Sequence, residues 1–164
     1  MTIQEIEQLY GRSPQANAFL SLLEEKSVRS VFLQGLLCSS VPMFFAPLQE
    51  KMDRTVLFVL NDADEAGYFY HDLTQILGTE RVLFFPSSFR RAIKYGQKDA
   101  ANEILRTEAL SRLEKGDTSV CIVTYPDALS EKVVSRNNLK EKSLKLHTGE
   151  RVDTSFITDV LHSY

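Results

Sequence analysis

The chain has 164 residues, room for one domain and the beginning of another, and a formal net charge of −3 at pH 7. An apolar fraction of 43% fits a globular fold, and the slight negative charge excludes a general electrostatic drive toward nucleic acid. No apolar run reaches the roughly 18 residues of a membrane span, and MTIQEIEQLYGR lacks the basic start and apolar stretch of a secretory signal.

The first 26 residues read as two helices. TIQEIEQLY places Ile3, Ile6, Leu9 and Tyr10 on one face, and Gly11 interrupts. Ser13 caps the second helix, Pro14 suits its first turn, and Phe19, Leu20, Leu22 and Leu23 supply its buried side. Four apolar runs follow: SVFLQG (30–35), TVLFVL (55–60), RVLFF (81–85) and SVCIVT (119–124). Each is short and nearly continuous in hydrophobicity, as strands covered on both faces are. Leu57 and Val59 are therefore expected to be buried. Helical stretches separate the runs: VPMFFAPLQEKM; DADEAGYFYHDLTQILG, capped by Asp62 or Asp64 and stopped by Gly78; and DAANEILRTEALSRLEKG, ending on Gly116. This alternation predicts an α/β fold, a three-layer parallel sheet with helices on both faces. Residues 1–132 form this domain. Residues 133–142, polar and aperiodic, read as a linker. From 143 a strand, LKLHTGE, and a helix, VDTSFITDVLHSY capped by Asp153 or Thr154, open a second, α+β domain, and the chain reads as a piece of a longer protein.

The stretch LQGLLCSSVPMFF carries the rhythm of a phosphate-binding loop between a strand and a helix. Against G-x-x-x-x-G-K-[ST], Gly35 takes the first glycine place, and Ser40, Val41 and Pro42 take the last three. Cys38 and Ser39 lie between them. Val41 brings no charge, and Pro42 removes both the hydroxyl and a backbone donor. ATP hydrolysis by this loop is not expected, and a plain strand-to-helix turn is the simpler reading. Asp62 and Asp64 suit helix caps better than a magnesium or ribose site. His71, His147 and His162 show no ligand spacing, and His71 reads as structural. Cys38 and Cys121 form no CxxC pair and read as buried thiols in a reducing, cytoplasmic compartment. The segment FFPSSFRRAIKYGQK places Phe89 and Tyr95 among Arg90, Arg91, Lys94 and Lys98. Such a mixture binds single strands in some proteins, but a solvated loop that contacts another domain or a partner is the preferred reading here.

Taken in order, GLLCSS, VLFVLNDADEAGYFYHDL, VLFFPSS and EILRTEALSRLEKGDTSVCIVTYPDAL resemble the N-terminal region of the bacterial transcription-repair coupling factors, the Mfd family. That region is itself similar to the first domain of UvrB, a helicase-like repair subunit. The last block here is Arg106, Leu110, Leu113, Ile122, Val123, Pro126, Ala128 and Leu129. The resemblance covers most of residues 15–164. It implies a UvrB-like α/β domain with a degenerate P-loop, then the opening of a UvrA-recognition domain. It also implies a module without catalytic residues or cofactor of its own, contributing to UvrA recruitment and to restraint of a downstream motor. ATP, magnesium, RNA polymerase and DNA would belong to domains further along such a protein. Two other readings stay open: a P-loop-type enzyme domain with a non-standard loop, and an interaction module with no repair role.

Overall fold

The computed structural model describes residues 2–89, 99–135, 138, 146 and 148–162. The chain divides into two compact units, Met1–Val133 and Val134–Tyr164. The first is mixed α/β: α1 (Ile3–Gly11), α2 (Pro14–Glu24), α3 (Ser40–Met52), β1 (Val56–Val59), α4 (Ala63–Leu77), β2 (Val82–Phe85), α5 (Ala100–Glu114), β3 (Cys121–Thr124) and α6 (Pro126–Ser130).

Local chemistry sets the helix ends. Thr2 and Glu5 form a reciprocal capping box at α1, and Ser13 caps α2 with Pro14 in its first turn. Asp62 caps α4 through the Glu65 N–H, and Asp99 caps α5. Gly78 ends α4 at a φ of 84°, where a side chain would be strained. On α1 the buried residue is Gly11, while Ile3 and Leu9 stay exposed. A Cβ at Gly11 would lie 2.8 Å from the Pro47 Cβ, so this glycine sets the close approach of α1 to α3.

The three strands are parallel, in the order β1-β3-β2, with Val56 and Val82 both in register with Cys121. Central β3 is buried throughout, as an apolar run between two neighbours requires. Alternation sends Phe84 to one face, stacked on Tyr70 of α4, and Phe85 to the other, beneath the Arg106 guanidinium of α5. Phe58 of β1 joins the α4 face through Phe69. Edge-to-face rings then run from Phe58 through Phe45 and Phe44 to Phe19, linking the sheet core to a smaller cluster of Ala16, Phe44 and Leu48.

Two expectations are corrected. Residues 30–35 form no strand: Phe32 is 88% exposed, and Leu33 and Leu36 pack on the small α2–α3 cluster instead. Apolar content supplied the material for a strand, but no ladder partner takes it up. Leu57 and Val59 are not covered either, being 52% and 50% exposed. They lie on the α5 side of the sheet, and α5 packs over β2. The second unit holds α7 (Thr154–His162), where the Asp153 carboxylate accepts from the Ser155 N–H. Of the strand expected at LKLHTGE, residues 144, 145 and 147 lie outside the described residues, and Leu146, Thr148, Gly149 and Glu150 are not in a strand, Thr148 and Gly149 forming a turn.

Candidate functional site

The loop singled out from sequence sits beside the carboxyl end of β1, where α3 and α4 begin. Gly35 adopts a φ of 91° and Cys38 a φ of 49°, so the chain turns through two left-handed residues before α3. Ser40 closes the turn: its Oγ accepts from the Leu37 N–H at 2.6 Å and donates to the Leu37 carbonyl at 2.7 Å. The first turn of α3 is already committed to local bonds. The N–H groups of Ser40, Val41 and Met43 donate to the carbonyls of Leu37, Cys38 and Ser39, and Pro42 has none to give.

A phosphate cradle at a helix start works through free backbone donors and the positive end of the helix dipole. Here the donors at the last three motif positions are spent or missing, and the lysine is absent. The side chains facing this end are acidic. Ser39 Oγ donates to Asp72 Oδ2 at 2.6 Å, and Glu65 Oε2 accepts from the Asn61 backbone and side chain. Between the loop and α4 lies an open pocket of about 470 Å³, with Pro42, Leu60 and Phe69 as apolar lining and Glu65, Tyr68 and Asp72 contributed by α4. Asp62 is the helix cap and Asp64 sits in the first turn.

A second polar cluster occupies the carboxyl ends of β2 and β3. The Glu131 carboxylate accepts from the Ser87 hydroxyl, from the Ser88 hydroxyl at 2.7 Å and from the Ser88 N–H at 3.0 Å. Arg106 Nη1 stands 3.5 Å from it while donating to the carbonyls of Pro86 and Ala128. Ser87 N–H donates to the Tyr125 hydroxyl, and Asn102 donates to the Ser87 carbonyl. Burial acts to raise the Glu131 carboxyl, but the serine bonds and Arg106 outweigh it and hold it below the ordinary carboxylate value. The cluster fastens the turn after β2 to the end of α6.

Of the expected site residues, Gly35, Cys38, Ser39, Ser40, Val41 and Pro42 therefore come together at one place. Phe89 is half-exposed and donates its N–H to Ser87 Oγ. Arg90, Arg91, Lys94, Tyr95 and Lys98 lie outside the described residues. The thiols divide: Cys121 is buried, but Cys38 is exposed on the loop, against expectation, because the left-handed turn carries it outward. His71 is exposed on α4, and His147 lies outside the described residues. Among the described residues no three His, Cys, Asp or Glu side chains converge on a metal position, and no helix is long and apolar enough to cross a membrane.

Sequence reasoning missed the wall that α4 contributes. Its signal was present in EAGYFYHD, where Glu65, Tyr68 and Asp72 recur at i, i+3 and i+7 on one helix face. Glu131 carried no such signal, because its partners are distant in the chain. Comparison with protein-family models, with curated proteins and with solved structures found no match for this chain.

Proposed function

We propose that this chain is a non-catalytic N-terminal module of a transcription-repair coupling factor, a scaffold that retains the position of a nucleotide loop without its chemistry. The observation that carries the reading is the loop at 35–42. It stands at the carboxyl end of a parallel strand, where α/β proteins bind ligands, yet its first helical turn has spent its donors and faces two carboxylates. The ordered motif resemblance supplies the family. In this reading the sheet, with α4 against one face and α5 against the other, is the centre of a three-layer, UvrB-like, helicase-like domain. Residues from about 143 open the UvrA-recognition domain. The module helps recruit UvrA and restrain the motor in the cytoplasm, while ATP, magnesium, DNA and RNA polymerase are handled by other domains of the parent protein.

Two titrations test this. Calorimetry with Mg-ATP is expected to give no saturable heat in the micromolar range, where binding would release about 8 kcal/mol of free energy. Surface plasmon resonance is expected to show UvrA bound by a longer form containing the whole second domain, and far more weakly by this chain. A one-site ATP isotherm overturns the lost-nucleotide reading, and failure of the longer form to bind UvrA overturns the assignment to coupled repair.

A further inference from the structure

We infer that the pocket between the 35–42 loop and α4 receives an arginine side chain from a protein partner, an inference that rests on the lost-nucleotide reading of that loop. Helix α4 places Glu65, Tyr68 and Asp72 along one stripe, with the aromatic ring between two carboxylates. Each carboxylate uses one oxygen locally, Glu65 Oε2 for Asn61 and Asp72 Oδ2 for Ser39. Among the described residues neither forms a salt bridge. Tyr68 is 78% exposed, unusual for a ring beside an apolar wall.

Each feature selects against other ligands. Phosphates meet two carboxylates, and the first-turn N–H groups that would hold them are spent. A single metal ion fits poorly, because residues seven apart on a helix lie about 10 Å apart along its axis. An apolar ligand would leave both carboxylates uncompensated at the rim. A guanidinium suits all three groups. Its flat face stacks on the Tyr68 ring, its fork donates to a carboxylate, and its methylene stem lies on Pro42, Leu60 and Phe69. Lysine, a point charge with a tightly held hydration shell, gains less from a ring and two separated acceptors. The opening of about 470 Å³ leaves room for the backbone that presents the side chain.

The test is an amide NMR titration of the whole chain with the peptide acetyl-Gly-Arg-Gly-amide, with the lysine peptide and Mg-ATP as comparisons. The arginine peptide is expected to shift the Ser39, Tyr68 and Asp72 amides saturably, with a Kd of about 1 mM, and more tightly than the lysine peptide. The Glu65→Gln/Asp72→Asn double variant, its fold checked from the same spectra, is expected to bind about tenfold more weakly, and added salt is expected to weaken the parent. Absence of saturation, shifts centred elsewhere, or equal binding by the double variant overturns the inference. If neither the arginine peptide nor Mg-ATP binds, the inference falls and the lost-nucleotide reading stands. If Mg-ATP saturates these same amides, both fall.

Discussion

Glu131→Gln tests whether the cluster at the ends of β2 and β3 stabilises the fold. The native carboxylate accepts from two serine hydroxyls and the Ser88 N–H and lies 3.5 Å from Arg106. Glutamine keeps the shape but replaces one acceptor oxygen with a donor, so at least one of those donors faces an NH2 group, and Arg106 loses its counter-charge. Removing one member of a buried pair costs about 3–5 kcal/mol. Because the Glu131 side chain is 14% exposed, and Arg106 keeps two carbonyl acceptors, the lower end applies, about 3 kcal/mol. For a unit of this size that is a fall of about 10 °C in Tm, read by circular dichroism at pH 7. The pH dependence gives the sign. The folded carboxyl titrates below its ordinary value of 4.5, so its contribution is complete above the ordinary range and is lost as pH falls through the lower folded value. The gap between parent and variant is therefore expected to narrow as pH drops below 4.5. A loss under about 1 kcal/mol at pH 7, or a gap that stays constant into acid, would refute the reasoning.

Two further outcomes follow from burial. Leu73→Ala, at a position with no exposed surface, is expected to cost about 2–5 kcal/mol in urea unfolding, whereas Leu57→Ala, half-exposed on the sheet edge, costs less than about 1.5 kcal/mol; similar losses would mean that β1 is covered on both faces. Ellman's reagent at pH 8 is expected to react promptly with Cys38 alone, because burial removes Cys121 from contact and pushes its thiol up to about 11, and to titrate both thiols in denaturant.

What could be read from the sequence was the chemistry that acts locally. Ser13, Asp62 and Gly78 stand at the helix ends expected of them, since a cap bonds within one turn of itself. The runs at 56–59, 82–85 and 121–124 are strands because β-branched and aromatic residues recur without polar breaks. SVFLQG carries the same composition and is not a strand, and Leu57 and Val59 lie open, because composition does not say which neighbour completes a ladder or how far a helix extends over a sheet. The loop at 35–42 was legible as a turn into a helix that lacks the lysine and hydroxyl of a phosphate-binding loop. That its first turn is closed by Ser40, and that Glu65 and Asp72 face it, depended on a crossing of chain segments that spacing alone does not reveal.

The strand order has a consequence for the timing of synthesis. Among the described residues β1 and β2 are not ladder partners, and each pairs with β3, the last of the three to leave the ribosome. Until Cys121–Thr124 has emerged, both earlier strands lack the ladder partner they have among the described residues, however completely the helices around them have formed. On this strand order the described sheet is completed when the third strand pairs with both others, contacts distant in sequence that carry a loop-closure cost. A nascent chain paused before residue 121 would display two unpaired strands together, the stage at which folding helpers have most to shield.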